Sequence, residues 1–348
     1  MSRRGFLAGA GAAVAMTSLT GPAALAAGPG TGGGGDLRLE TGTTFGARVS
    51  PDGRWIALDL LGVLWVMPAS GGQARRLTSD LFDIAQPDWS PDGGRLVFQS
   101  YRDGVFNLWT VRPDGSGLRR LTEGPFDHRE PRWSPDGRTI VFSGDASGGY
   151  AIHTYDVGSG RIAVLADGPG EEYEPAWSPD GDRVAFVVDN TRIEVVDRIT
   201  GRRSTHVTVP AGQVIHQPEW TPDGTGLVHH LTYDGRCHLM SGDTPLVDDE
   251  ETFPFRVSWI DRERFVYTAN GRIRVRSLNG TGARTVGFSA AVTTRRPGTP
   301  GAGPTSRAPA LGPYAESEAR CCPPTASTSP SGRSMTSTSC GSAVRRSR

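Results

Sequence analysis

The strongest constraint on the fold is a five-residue motif that recurs along the chain at nearly constant spacing. Five copies have the form x-(Ser/Thr)-Pro-Asp-Gly, where x is Trp in every copy except the first, and a sixth copy is degraded. Successive copies lie 40, 44, 44, 43 and 39 residues apart. A period of this length is typical of β-strand units arranged around an axis. The copies begin at Val49, Trp89, Trp133, Trp177, Trp220 and Trp259.

Each repeat also contains short stretches in which apolar and polar residues alternate. In the second repeat these stretches are 94–98, 107–111 and 118–121, with Asp114-Gly115 marking a turn between the last two. Alternation with a period of two predicts β-strands with one buried face. Together with the strand that ends at the motif, each repeat therefore supplies four antiparallel strands.

The Pro-Asp-Gly part of the motif predicts a tight hairpin. Pro fixes φ at the start of the turn, the Asp side chain bonds back to the backbone, and Gly accepts a positive φ. The Trp that precedes it recurs once per repeat, which predicts that it packs between neighbouring sheets. A four-stranded sheet cannot bury both of its faces alone, so several sheets must stack around a common axis. We predict an all-β fold, a β-propeller of about six four-stranded blades.

The repeat x-Pro-x-Trp-Ser-Pro-Asp-Gly, followed by alternating apolar positions, resembles that of TolB-like β-propellers over residues 37–293. The resemblance implies a propeller that binds a protein or peptide at the mouth of its channel, or that precedes a hydrolase domain. In the latter case the chain resembles the N-terminal part of exported proteins that join such a propeller to a metal-dependent amidohydrolase. A serine peptidase of the prolyl-oligopeptidase type is a further alternative. Fold alone does not decide function.

The N-terminus predicts export. Arg3 and Arg4 are followed by Phe and Leu, an Ala/Gly-rich apolar stretch and Ala24-Leu25-Ala26, which resembles a twin-arginine signal peptide spanning residues 1–27. A Gly-rich linker follows at 28–36. We expect a mature chain that is periplasmic, cell-wall-associated or secreted, with no transmembrane segment after signal cleavage.

Charge is unevenly distributed although the formal net charge is zero. All 37 basic residues are Arg, and residues 36–293 contain 27 of them against 35 acidic residues, a net charge of −8. An acidic repeat region argues against nucleic acid as a partner.

Residues 294–348 do not continue the repeat. They contain one aromatic residue and are rich in Pro, Ser, Thr, Arg and Gly, a composition typical of a disordered tail. If Cys321–Ala343 is read one base out of frame, the inferred middle bases rebuild an apolar-Ser-Pro-Asp-Gly unit followed by alternating apolar positions. We interpret the tail as frameshifted near 294–300, with a scrambled seventh repeat inside it. In that case the strand at Leu37–Leu39 lacks a last blade to join, and the ring stays open.

The sequence offers no catalytic set. It lacks a G-x-S-x-G nucleophile elbow, and its seven histidines form neither His-x-His nor His-Glu-x-x-His. Three of the four cysteines lie in the tail, and no C-x-x-C is present. No catalytic residue, metal site or cofactor is therefore predicted.

The candidate binding residues lie just before the Trp strands, at one level of the predicted ring, where the innermost strands begin beside the channel. At this position they would surround its mouth and bind a protein, peptide or polar ligand, unless they form only a solvated loop layer. The candidates are Asp127, His128, Arg129, Glu130, Glu171, Glu172, His216 and Gln217.

Overall fold

The computed structural model describes residues 36–79, 83–102, 104–247 and 250–293. The signal peptide, the linker up to residue 35 and the tail from residue 294 lie outside these residues. The described residues form strands and turns, and none belongs to a helix long and apolar enough to cross a membrane.

The repeats fold into six blades. The chain enters through β1 (Asp36–Leu39). Blade 1 contains β2 (Ala47–Val49), β3 (Trp55–Leu60), β4 (Val63–Pro68) and β5 (Gly72–Arg76). Blade 2 contains β6 (Ala85–Trp89), β7 (Leu96–Tyr101), β8 (Phe106–Val111) and β9 (Arg119–Arg120). Blade 3 contains β10 (His128–Trp133), β11 (Thr139–Gly144), β12 (Ala151–Asp156) and β13 (Ile162–Ala166).

The second half of the ring repeats this order. Blade 4 contains β14 (Glu172–Trp177), β15 (Arg183–Val188), β16 (Arg192–Asp197) and β17 (Arg203–Thr208). Blade 5 contains β18 (Val214–Trp220), β19 (Leu227–Tyr233), β20 (Arg236–Ser241) and β21 (Thr244–Pro245). Blade 6 contains β22 (Ser258–Trp259), β23 (Arg264–Ala269), β24 (Arg272–Ser277) and β25 (Arg284–Val286), and β26 (Phe288–Thr293) follows it. The six blades of four antiparallel strands confirm the predicted fold class.

The motif forms the predicted hairpin between the first two strands of a blade. In blade 2, the Gly94 amide donates to Asp92 Oδ1 at 2.9 Å, the Gly93 amide donates to the Ser90 carbonyl at 2.8 Å, and Gly93 has φ +67°. A positive φ favours glycine because it lacks a Cβ. These turns place every Pro-Asp-Gly at one end of the ring, which we call the hairpin side. The opposite end, where the innermost strands begin, is the loop side.

The motif Trp side chains pack between blades, as predicted. Four of their indole Nε1 groups donate to a backbone carbonyl of the preceding blade: Trp89 to Arg48 at 2.9 Å, Trp177 to Arg132 at 3.3 Å, Trp220 to Ala176 at 3.2 Å and Trp259 to Trp220 at 2.7 Å. Each indole thus adds both buried apolar area and a hydrogen bond to an interface between blades.

The ring is closed by direct contact between blades 6 and 1, so the prediction of an open ring is wrong. The Val49 amide donates to Ser258 Oγ at 2.9 Å, and Arg48 Nη1 donates to the Val257 carbonyl at 2.6 Å. Apolar residues of both blades form one buried cluster. Six blades therefore complete the ring without a seventh.

The N-terminal strand also takes a place different from the one predicted. β1 pairs antiparallel with β26, and β26 pairs parallel with β5, so both strands extend the outer edge of blade 1. β1 and β26, one strand from each end of the repeat region, thus pair with each other at the outer edge of blade 1. Leu37–Leu39 therefore form a paired strand without a seventh blade.

Candidate functional site

Each of four innermost strands, in blades 2–5, contains a β-bulge just before its Pro, and the bulge decides which side chains face the channel. The bulged residue has a left-handed backbone, and the strand register shifts at this position. A bulge re-aims the side chains that follow it. The bulged residues are Gln86 (φ +57°), Glu130 (φ +58°), Glu174 (φ +56°) and Gln217 (φ +50°).

The amide of each bulged residue is bound by a side chain of the preceding blade. Two of the acceptors are themselves bulged residues, so the bonds form a relay around the channel. The bonds run from Gln86 N to Asp59 Oδ2 (2.8 Å), Glu130 N to Gln99 Oε1 (2.7 Å), Glu174 N to Glu130 Oε2 (2.6 Å) and Gln217 N to Glu174 Oε2 (2.6 Å). Successive blades are therefore joined by buried hydrogen bonds as well as by apolar packing.

Arg256 extends this layer across the channel. Its Nε donates to Gln217 Oε1 at 2.8 Å in blade 5, and its Nη2 donates to the Glu130 carbonyl at 3.0 Å in blade 3. Burial and the neighbouring Arg132 charge lower the pKa of Arg256 to about 9. The guanidinium thus joins residues on opposite sides of the ring.

A second layer of charged side chains lies further into the channel. Each of its residues immediately precedes a motif Trp or, in blade 1, Val49. Arg132 forms a bidentate pair with Glu219 (Nη1–Oε2 2.6 Å, Nη2–Oε1 2.9 Å), and Arg48 Nη2 lies 2.9 Å from Asp88 Oδ1. Arg48 Nη1 is also 3.6 Å from Glu219 Oε2, and Arg132 Nε is 3.5 Å from Asp88 Oδ2. We call Arg48, Asp88, Arg132 and Glu219 the charged plug, because together with Arg256 they cross the channel.

The environment favours the charged forms of Asp88 and Arg132. Burial raises the pKa of Asp88, but the Arg132 and Arg48 charges outweigh it, and the pKa lies below its ordinary value. Burial lowers the pKa of Arg132, but Glu219 and Asp88 raise it to above its ordinary value. Complementary charges with hydrogen-bonded geometry are what make buried ions tolerable.

On the hairpin side of the plug lies a cavity of about 330 Å³. Its floor is the charged plug and its wall contains the motif Trp and Pro residues. The lining residues include Trp89, Trp133, Trp177, Trp220, Trp259, Pro91, Pro135, Pro179 and Pro222. This recess was missed by the sequence reasoning, which assigned the Trp residues to packing alone.

The loop-side mouth contains part of the predicted candidate set. Arg129 and His216 occupy equivalent positions one residue before the bulge, with Tyr173 between them in blade 4. Glu130 and Gln217 are the bulged residues just below. The structure therefore brings Arg129, Glu130, His216 and Gln217 to one end of the channel.

Asp127 and Glu171 lie at the same end of the channel, where their carboxylates accept hydrogen bonds that hold loops in place. Asp127 Oδ1 accepts from the Phe106 amide at 2.8 Å, and Glu171 Oε2 accepts from the Tyr150 amide at 2.7 Å. Each ties the start of an innermost strand to a hairpin of the preceding blade. Their carboxylates also meet tyrosine hydroxyls, with Tyr150 donating to Asp127 Oδ2 at 3.0 Å.

His128 and Glu172 point away from the mouth, so their placement in the predicted ring is wrong. His128 is 4% exposed and lies edge-on to Phe142 of its own blade, with ring centroids 5.2 Å apart. The Glu172 carboxylate is fully buried and lies 2.7 Å from Arg203 Nη2 in the outermost strand of its blade. Successive residues of a strand face opposite sides, so neighbours of Arg129 and Tyr173 must turn outward.

The pKa values of the Glu130 and Glu174 carboxyl groups at the mouth are shifted in opposite directions. Burial and the nearby Glu174 charge raise the pKa of Glu130. Burial also acts to raise the pKa of Glu174, but His216 and the Gln217 amide outweigh it and lower that pKa. Burial acts to lower the pKa of His216, and Glu174, whose Oε1 lies 3.6 Å from His216 Nδ1, raises it to above its ordinary value.

Sequence reasoning also missed a row of partly exposed rings that leads to this mouth. Tyr101 and Phe106 are in contact at 5.2 Å, the Arg129 guanidinium lies 4.3 Å from the Phe106 ring and 5.9 Å from the Tyr150 ring, and Tyr150 contacts Tyr173 at 4.9 Å. We call Tyr101, Phe106, Arg129, Tyr150 and Tyr173 the aromatic stripe. Its signal in the sequence is aromatic residues at or next to the loop-side ends of strands.

Among the described residues, no three His, Cys, Asp or Glu side chains are arranged so that they could hold a metal ion. Cys237 is half-buried, and its Sγ lies 3.4 Å from Nδ1 of the buried His230. Burial raises the pKa of the Cys237 thiol and lowers that of His230 to about 3.

The fold and the channel define a six-bladed β-propeller closed by a buried charged layer. A family model described as the TolB beta propeller domain matches residues 48–245, more than half of the chain. The chain belongs to this TolB β-propeller family.

Solved structures resemble this chain at low sequence identity. Oligogalacturonate lyase from Vibrio parahaemolyticus is 12% identical, with 71% of this chain and 77% of that chain covered and a TM-score of 0.50. TolB from Acinetobacter baumannii is 18% identical (74% and 57% covered, TM-score 0.46), and TolB from Agrobacterium tumefaciens is 20% identical (70% and 80%, 0.48). The chain thus spans 57% of the length of the Acinetobacter protein. Comparison with curated proteins finds no match.

Proposed function

We propose that this chain is an exported binding module that holds a protein or peptide at its loop-side mouth, with no active site of its own. The observation that carries the proposal is the arrangement at that mouth. Arg129, Tyr173 and His216 occupy equivalent positions at the loop-side ends of three innermost strands, while Arg256 crosses the channel just below them. A partner would therefore contact a rigid, shallow surface rather than pass through the ring.

The rest of the ring supports the proposed binding function because its hydrogen bonds and ion pairs make it rigid. The relay of bulge amides and the charged plug fix the innermost strands against one another, so the loops at their ends are held in place. Binding residues are often carried on loops that a rigid scaffold positions. The binding role also agrees with what the resemblance to TolB-like propellers implies.

Selection from a displayed library of random 12-residue peptides tests the binding function. The full chain is the bait, and enriched peptides are re-tested by fluorescence anisotropy against Tyr173→Ala and His216→Ala. We expect enriched peptides whose affinity falls at least fivefold with either variant. Asp92→Asn, on an exposed hairpin-side turn, is the matched control and should leave affinity unchanged. Absence of enrichment, or equal losses with the control, would contradict the proposal.

The competing hypothesis is that the protein is an enzyme. Its active site would lie either in this chain or in a longer protein of which this chain is a part, such as an amidohydrolase. Assays of the purified chain for esterase, peptidase and amidase turnover, with and without added zinc, separate the two. We expect no turnover above the buffer rate. Sustained turnover that co-purifies with the chain would overturn the binding proposal.

A further inference from the structure

We infer that the aromatic stripe and the carboxylates beside it bind an extended peptide segment containing arginine or lysine. This inference rests on the proposed binding function and names the chemistry of the partner. It concerns the loop side of blades 2–4, which the sequence had identified only through individual polar residues.

The first argument is the continuity of the stripe. Its four successive contacts span 4.3–5.9 Å each and run from Tyr101 at the end of β7 to Tyr173 beside the channel. Tyr101 is 43% exposed, and the other rings of the stripe are half-buried. A row of this length offers room for roughly five or six residues of extended chain.

The second argument is that the rings are not needed to fill the core. They lie on strand ends and a hairpin of the loop side, and none of the four rings belongs to a buried hydrophobic cluster of the described residues. Exposed aromatic surface that joins into one patch marks a site of interaction more often than scattered single residues do.

The third argument is charge. Asp127, Asp145, Glu171 and Asp189 border the stripe, and each accepts a backbone amide of a neighbouring loop, so the loops hold these carboxylates in fixed positions. The basic residues there are already paired: Arg129 Nη2 lies 3.4 Å from Asp127 Oδ2, and Arg192 Nη1 lies 3.5 Å from Asp189 Oδ2. Acids outnumber bases along the stripe, which favours a cationic partner.

The two features reinforce one another for a cationic side chain. A guanidinium or ammonium group placed over Tyr150 or Tyr173 meets the negative face of the ring, and Arg129 over Phe106 shows that this geometry is available on the same surface. Glu171 lies beside both tyrosines, since Oε2 accepts from the Tyr150 amide at 2.7 Å and from the Tyr173 hydroxyl at 3.5 Å.

Three synthetic peptides test the inference on the full chain by fluorescence anisotropy. They share the sequence Gly-Ser-X-Gly-X-Gly-Ser-X-Gly, with X as Arg, Gln or Glu, and maltohexaose is a fourth ligand followed by intrinsic fluorescence. We expect the Arg peptide to bind at least tenfold more tightly than the Gln peptide, with no binding of the Glu peptide or the sugar. Raising the salt concentration should weaken binding of the Arg peptide because the attraction is electrostatic.

Variants locate the site. Glu171→Gln and Asp127→Asn each keep one acceptor oxygen but remove the charge, and each should weaken binding of the Arg peptide about threefold. Tyr150→Ala should weaken it about fivefold. The matched controls on blade 5, Asp234→Asn and Tyr233→Ala, should have no effect. If selected peptides bind at the loop-side mouth but are not cationic, the inference fails while the binding function stands; binding of maltohexaose alone overturns both.

Discussion

Arg132 and Glu219 are 87 residues apart in sequence, yet they form a bidentate ion pair across the channel, with Nη1–Oε2 at 2.6 Å and Nη2–Oε1 at 2.9 Å. Both side chains are almost fully buried. The pair joins blade 3 to blade 5 directly and so bypasses the blade between them. It fixes the diameter of the ring at the level of the charged plug.

Removing one member of this pair should be far more costly than removing both. Glu219→Ala leaves Arg132 buried without its main counter-ion, and we expect a loss of about 3–5 kcal/mol in the free energy of unfolding. Arg132→Met combined with Glu219→Leu leaves the Arg48–Asp88 pair intact and should lose no more than about 2 kcal/mol. Urea denaturation measures both. A smaller loss for Glu219→Ala than for the double variant would contradict the role of the pair.

The motif Trp residues offer a matched comparison of one hydrogen bond. Trp89 Nε1 donates to the Arg48 carbonyl at 2.9 Å, whereas the buried Trp133 Nε1 has no partner. Trp89→Phe should therefore destabilise the fold by about 1 kcal/mol more than Trp133→Phe, which removes a similar ring but no bond. Thermal and urea unfolding of the two variants provide the measurement, and equal losses would show that only packing matters.

The repeat motif predicted the fold because its physics is local. Pro, Asp and Gly fix a hairpin within five residues, and the period of about 43 residues repeats that hairpin around an axis. The Trp packing followed from the same period. None of these inferences required knowledge of residues distant in sequence, and the structure confirms them.

The candidate site was predicted only in part because a bulge changes which face of the sheet the preceding side chains point to. Sequence alternation alone cannot distinguish Arg129, which reaches the mouth, from His128, which turns into the blade. The charged plug was missed for another reason. Arg48, Asp88, Arg132 and Glu219 are separated by at least 40 residues, and their pairing depends on the number of blades that close the ring.

Export is a prediction that depends on Arg3 and Arg4 at the N-terminus. The double variant Arg3→Lys, Arg4→Lys keeps the positive charge but removes the guanidinium pair that the twin-arginine signal resembles. We expect the variant to accumulate in the cytoplasm, as measured by fractionation and immunoblotting. The matched control Arg38→Lys, on β1, should be exported normally. Unchanged export of the double variant would refute the prediction.

Buried histidines set the expected pH dependence of stability. Burial lowers the pKa of His128 to about 4, of His229 to about 4 and of His230 to about 3, from an ordinary value of 6.5. Between these values the unfolded chain binds protons that the folded chain does not, so their contribution to stability is lost as the pH falls below 6.5. Burial raises the pKa of Asp59 to about 7, which acts in the opposite sense.

Burial lowers the pKa of a fourth histidine, His153, and raises the pKa of two further carboxyl groups, Glu130 and Glu172. Four histidines thus oppose three carboxyl groups, and the folded ring should become less stable in acid. We expect the free energy of unfolding to fall by roughly 2 kcal/mol per pH unit between pH 6 and pH 4.5, measured by urea denaturation at fixed ionic strength. His229→Gln removes one of the histidines with a lowered pKa and should reduce this slope by about 1 kcal/mol per pH unit. His206→Gln, an exposed position on β17, is the matched control and should leave the slope unchanged. A free energy of unfolding that is constant or that rises over this range would show that the buried histidines do not govern acid stability.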